Sequence, residues 1–205
     1  MPNENVKSRT VKLAKMALMT AISFVCSFVH FPLLFLYPFL EFELSSIPIL
    51  IAGFIFGPVR GVIIAVVAIM LRVITGTAPN APYGPIMNII AACVLVFIAA
   101  AIYQRLKKKE WRPATLRIGS LCTMQVQFFA PASGLLALIV GGLCATAAMI
   151  PANLIFTPLF MGAPVEAVQG LILPAIIPFN LLKMGINTVV VFLLYKRLSP
   201  FLHKW

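Results

Sequence analysis

The sequence predicts an all-α integral membrane protein, a six-transmembrane-helix bundle with both termini cytoplasmic. Three observations predict it. Apolar residues make up 61% of the chain and charged residues only 10%, against about 25% charged in a soluble domain. The apolar residues fall in runs long enough for helices that cross a bilayer, which needs about 20 residues each. The sixteen Lys and Arg cluster between alternate runs, the pattern of cytoplasmic loops.

The first run spans about 11–31 and follows Lys7, Arg9, Lys12 and Lys15. It is too long for the apolar core of a signal peptide, so we read it as a retained helix that Pro32 closes. An aromatic, proline-broken loop, FPLLFLYPFLEFE, ends in Glu41 and Glu43. The second span covers about 44–57 and stops at Gly57-Pro58, a turn-forming pair. The third covers about 60–75. The stretch GTAPNAPYGP is a loop, and the fourth span covers about 85–104. Next comes the strongest charge cluster, RLKKKEWRPATLR. The apolar stretch 118–161 has room for two spans, but a second would put the C-terminal Lys196, Arg197 and Lys204 outside, against the charge rule. One span at about 135–158, preceded by an interfacial or re-entrant piece, is preferred. Residues 162–169 read as a loop carrying Glu166, and the last span covers about 174–196. With the N-terminus inside, every Lys and Arg except Arg72 and Lys183 lies on the cytoplasmic side. The 205 residues form a single membrane domain.

Composition also excludes functions. The net charge of +11 belongs to membrane topology, not to nucleic-acid binding. No Lys follows a Gly, so the chain has no phosphate loop of the G-x-x-x-x-G-K type and cannot be its own ATPase of that kind. His30 and His203 are far apart, and the chain has no Asp. No metal set and no nucleophile with a paired base emerges, and the chain is not read as an enzyme. Cys26, Cys93, Cys122 and Cys144 lie in apolar stretches without a C-x-x-C pair and read as small core residues. No cofactor is expected.

Polar groups inside spans are the functional candidates, because burying an ionisable group costs several kcal/mol unless it is paired. Asn180, Lys183 and Asn187 are spaced i, i+3, i+7 and share one helix face. Asn88 opens the fourth span, Asn153 lies late in the fifth, and Arg72 lies near the outer end of the third. Together they point to a pocket opening to the outside. Structural roles compete: Asn glues helices together, Arg72 can snorkel, and Lys183 can pair with Glu41 or Glu43. Ala14, Ala17 and Ala21 give the first helix a small-x-x-x-small face on which another helix can approach closely.

Four stretches carry a family resemblance: AKMALMTAI, FPLLFLYPFLEFELSSIPILIAGFIFGPVRG, GPIMNIIA, and IIPFNLLKMGINTVVVFLLYKRL with its P-F-N-x-x-K. The chain resembles the substrate-binding S components of energy-coupling-factor (ECF) vitamin transporters, most closely the riboflavin-binding ones. The resemblance implies a multi-pass subunit of the prokaryotic plasma membrane. It would capture a vitamin, riboflavin favoured, and work with a membrane-embedded ECF subunit and two cytoplasmic ATPases. By resemblance, the alanine face of Ala14, Ala17 and Ala21 docks on the membrane partner. Asn180 and Lys183 match positions that hydrogen-bond the flavin ring, Glu43 matches an acidic position in the first loop, and Asn153 roughly matches a fifth-helix Asn. Phe39, with Phe35, Tyr37 and Phe42, is expected to cover the apolar face of the ring. Ser46 stands where the riboflavin pattern has Asp, and Val67 and Ala68 stand where it has Lys-Asn. With few polar contacts in an apolar pocket, another small vitamin or precursor is the alternative ligand.

Overall fold

A computed structural model describes residues 4–34, 36–37, 40–78, 80–110 and 131–202. Among the described residues the regular structure is helical apart from one short hairpin. Helix α1 covers Glu4–Cys26 and leads into strand β1 (His30–Pro32). Strand β1 pairs antiparallel with β2 (Glu41–Glu43), setting His30 opposite Glu43 and Phe31 opposite Phe42. Helices α2 (Ser46–Phe56) and α3 (Pro58–Ile74) meet at Gly57. Gly57 has φ 101°, a conformation closed to most side chains, and Pro58 then starts α3 where its missing N–H costs nothing.

Helices α4 (Tyr83–Glu110) and α5 (Pro131–Met161) are the long members of the bundle. The charged RLKKKE run continues α4 as helix instead of ending it. Residues 111–130 lie outside the described residues, and with them most of the expected interfacial piece. Pro131 begins α5, a position that suits proline.

The expected loop at 162–169 is corrected. Only Gly162, Ala163 and Pro164 are non-helical beyond Met161, and α6 (Val165–Leu171) begins directly after Pro164. The reason is local: Pro164 holds extended backbone before the first turn, and Glu166 sits within it, where a carboxylate complements the helix dipole. Helix α6 runs through a π turn at Ile172–Ile176 into α7 (Ile177–Leu202).

Among the described residues three helical stretches are long and apolar enough to cross a membrane, Tyr83–Lys107, Ser133–Met161 and Val165–Leu194. Helix α2 has 11 residues and rises about 1.5 Å per residue, roughly half of a bilayer core of about 30 Å. The main core is aliphatic and central. Ile49, Leu50, Ile64, Val96, Leu138 and Val191, from five different helices, are each at most 2% exposed. Outward, Leu18, Val25, Ile74, Ile155 and Leu193 are more than half exposed, as befits side chains facing lipid. A second cluster joins the hairpin loop to the start of α7: Leu40 and Phe179 pack with Leu33, Leu34 and Tyr37. This cluster fixes the loop over one end of the bundle.

Candidate functional site

Beneath that loop lies a chamber bounded by β2, α2, α3, α4, α5 and α7. Its polar lining comprises Glu43, Ser45, Ser46, Asn88, Thr146, Asn180, Lys183 and Asn187, set among Ile49, Ile69, Ala91, Leu95 and Met184. The space between the lining atoms, open mouth included, is about 550 Å³. The chamber is narrow in this conformation, and only about 40 Å³ of it admits the centre of a water molecule.

One end is organised by Glu43, which is 5% exposed. Arg72 donates from Nη1 to Glu43 Oε1 at 2.5 Å. Asn88 donates from Nδ2 to the same oxygen at 2.9 Å, and Ser45 Oγ donates to Oε2 at 3.3 Å. The carboxylate thus holds β2 to α3 and α4 at once. Such a buried pair is stable only with its remaining lone pairs satisfied, and Asn88 and Ser45 supply that. Because one amide N–H of Asn88 is committed to a carboxylate, its orientation is chemically fixed and its carbonyl is left as an acceptor. Arg72, 3% exposed, also approaches His30 Nδ1 at 3.4 Å. His30 Nε2 lies 3.9 Å from Glu41.

The opposite wall is α7. Asn180 donates from Nδ2 to the Ile176 carbonyl at 2.8 Å, the last carbonyl of the π turn. That bond pins the amide and frees its oxygen as an acceptor. Lys183 makes no ion pair among the described residues. Its Nζ stands 5.8 Å from the centre of the Phe179 ring one turn earlier, within cation–π range. Asn187 is 2% exposed, and its Oδ1 has no hydrogen-bond partner among the described residues. Buried polar atoms are nearly always paired, so this oxygen is an unused acceptor in the chamber wall.

The structure therefore brings Glu43, Asn88, Asn180 and Lys183 together around one space. It places Arg72 behind Glu43, outside the lining, and gives Glu43 the cation that sequence reasoning offered from Lys183. Asn153 does not reach the chamber. It is fully buried in α5, donates to the Met149 carbonyl at 2.8 Å and accepts from Thr157 at 3.0 Å. Phe39 and Phe35 lie outside the described residues. Phe42 is buried against Phe31, with ring centres 5.5 Å apart, on the hairpin and not in the chamber wall. Ala14, Ala17 and Ala21 are exposed on α1, while Met16 and Met19 on the same helix pack against the core. Ser45, Thr146 and His30 escaped sequence reasoning. The hydroxyls carry no pattern, and His30 acquires its neighbours only when the hairpin closes.

The chamber can accept and donate hydrogen bonds to a flat polar edge, but the described residues hold no cluster of three or more metal-ligating side chains. The comparisons with known proteins agree with a binding role. The family model for the ECF transporter substrate-specific component matches residues 11–195. The "Riboflavin transporter RibU" of Staphylococcus aureus (strain TCH60) is 32% identical over 193 residues, covering 94% of this chain and 93% of that protein. The "Riboflavin transporter FmnP" of Bacillus subtilis (strain 168) is 24% identical over 197 residues, 94% of each chain. A solved structure described as "Structure and mechanism of the S component of a bacterial ECF transporter" superposes with a TM-score of 0.71 at 30% identity, covering 95% of this chain and 98% of that one. A match over nearly the whole length, in sequence and in fold, leaves one conclusion: the chain belongs to the family of substrate-specific components of ECF transporters, a family of transporter subunits and not of enzymes.

Proposed function

We propose that this protein captures riboflavin from outside the cell and delivers it through a separate energising module. The observation that carries the reading is the convergence of Asn88, Asn180, Lys183 and Asn187 on one chamber. They face it with spare acceptors and an amine that makes no ion pair among the described residues. The pyrimidine edge of a flavin alternates carbonyl and N–H groups and needs such a set, while its benzenoid end suits the apolar lining. The names of the similar riboflavin transporters point the same way. In this reading Asn180, Lys183 and Asn88 contact the ligand, Glu43 closes the outer end, and Phe39 covers the ring. Arg72 and Asn153 serve the site from behind, by holding Glu43 and the wall of α5.

The membrane arrangement follows the charge pattern. The reading has six spans, the shorter α2 and α3 among them, with both termini in the cytoplasm and the chamber at the outer face. Transport requires a membrane-embedded ECF subunit and two cytoplasmic ATPases, with the exposed alanines of α1 as the docking face.

The test is binding by the purified protein in detergent. Riboflavin titrated into it should lose fluorescence as it enters the chamber, saturating at one molecule per chain. Saturable binding of a different vitamin, with riboflavin failing to compete, would overturn the choice of ligand while keeping the family role. This second ligand reading draws on Ser46, Val67 and Ala68, where the riboflavin pattern has Asp and a Lys-Asn pair.

A further inference from the structure

Two adjacent glycines on α5 have different neighbours. A methyl group added to Gly141 would press on Ala99 and the Leu95 carbonyl, 2.9 and 3.1 Å away, so Gly141 serves the close approach of α4. A methyl group added to Gly142 would overlap Cγ and Sδ of Met184 and stand 3.2 Å from its Cβ; these are its three nearest atoms. Gly142 and Met184 both line the chamber, and Met184 is next in sequence to Lys183. The thioether thus lies flat on the bare Cα of Gly142. Methionine is unbranched and turns readily about three bonds, so it moves if that notch is filled, and the unfilled space beside it is the chamber. Only about 40 Å³ there admits a water centre, the room of a few waters. A displaced thioether would take up part of that room.

We infer that Gly142 is a specificity-determining residue: its missing side chain forms a notch that holds Met184 back from the chamber and so sets the width left for the ligand. The inference rests on the reading of the chamber as the ligand site. Gly142 contributes through Met184 and is therefore a positioning residue.

The experiment compares wild type, Gly142→Ala, Met184→Ala and the double variant, measuring riboflavin affinity and ligand-free melting temperature on each. Gly142→Ala should weaken riboflavin binding by at least about tenfold, the lower end for one added carbon in a tight pocket. Adding Met184→Ala should restore most of it, because the two effects pass through one contact and cannot be additive. A purely structural glycine would lower the melting temperature without that rescue of affinity. A second arm needs no ligand. Ala91→Cys, on the facing wall of α4, is placed in a chain whose native cysteines are replaced, and its labelling by a small methanethiosulfonate is timed. Gly142→Ala should slow labelling, and Met184→Ala should restore the rate. If wild type binds riboflavin and Gly142→Ala binds it equally well, or Met184→Ala gives no rescue, the inference is wrong and the riboflavin reading stands. If wild type binds no riboflavin, that reading fails and the labelling rates alone decide the notch: slowed and restored supports it, unchanged overturns it.

Discussion

Lys183 and Arg72 are the two basic residues that charge topology leaves inside helices, and the structure gives them opposite roles. Arg72 is spent on Glu43; Lys183 makes no ion pair among the described residues. Lys183→Met should therefore weaken riboflavin binding by about 1–3 kcal/mol, the range for a hydrogen bond to a charged group or the loss of its partner. The ligand-free melting temperature should stay near wild type. A large fall in melting temperature with unchanged affinity would remove Lys183 from the site. Arg72→Met should do the reverse. It strands a buried carboxylate and should cost about 3–5 kcal/mol of stability, as when one partner of a buried pair is removed. Arg72→Met combined with Glu43→Gln should recover part of that in thermal unfolding, since the stranded carboxylate is gone. At this scale the sequence was partly legible. The i, i+3, i+7 spacing of Asn180, Lys183 and Asn187 placed three polar groups on one face, and the chamber is where that face points. The partner of Glu43 was not legible, because Arg72 is 29 residues away and only the hairpin brings them together.

Apolar periodicity and turn residues revealed most helices because both act locally. Gly57-Pro58 divides α2 from α3 as read. The error at 162–169 came from treating Gly162 and Glu166 as loop markers, whereas Pro164 and Glu166 together start α6. The hairpin was invisible for a different reason: strands of three residues are too short to show an alternating pattern. Helix α1 invites a test at its own scale. Its alanine face is exposed while Ser23, Met16 and Met19 face the protein. A tryptophan at Ala17 or Ala21 should block close helix approach and reduce uptake in cells, while riboflavin binding by the isolated subunit persists. Unchanged uptake with both sites bulky would show that another face docks.

At the scale of the whole chain the proposed scheme divides the labour: the chamber binds the ligand, and the sequence has no G-x-x-x-x-G-K loop. Reconstituted alone, it should bind ligand but accumulate none, with or without ATP in the lumen. Accumulation by this chain alone, dependent on ATP, would refute the two-part scheme. The proposed topology has its own check. A cysteine replacing Glu166, in the first turn of α6, should react with an impermeant thiol reagent added outside intact cells, on a background without native cysteines. Reaction only after permeabilisation would reverse the assigned sidedness. The apolar, helical character of the chain was legible because its composition and long apolar runs demand it. The chamber was not, since its walls come from β2 and five helices and depend on long-range packing.

The π turn at Ile172–Ile176 carries one residue more than an α-helical turn, with the amide of Ile177 reaching back to the carbonyl of Ile172. A π turn inside a helix is in effect a single-residue insertion, and its position decides what a lost codon does. Deleting Leu173, 80% exposed, would let the helix close as ordinary α with little rotation of α6 against α7. Losing one residue between Asn180 and Lys183, where no π turn absorbs it, would rotate the wall by about 100° and carry Lys183 and Asn187 off the face that holds Asn180. The π turn is thus a place where a lost residue is absorbed, and the binding wall a few residues later is not.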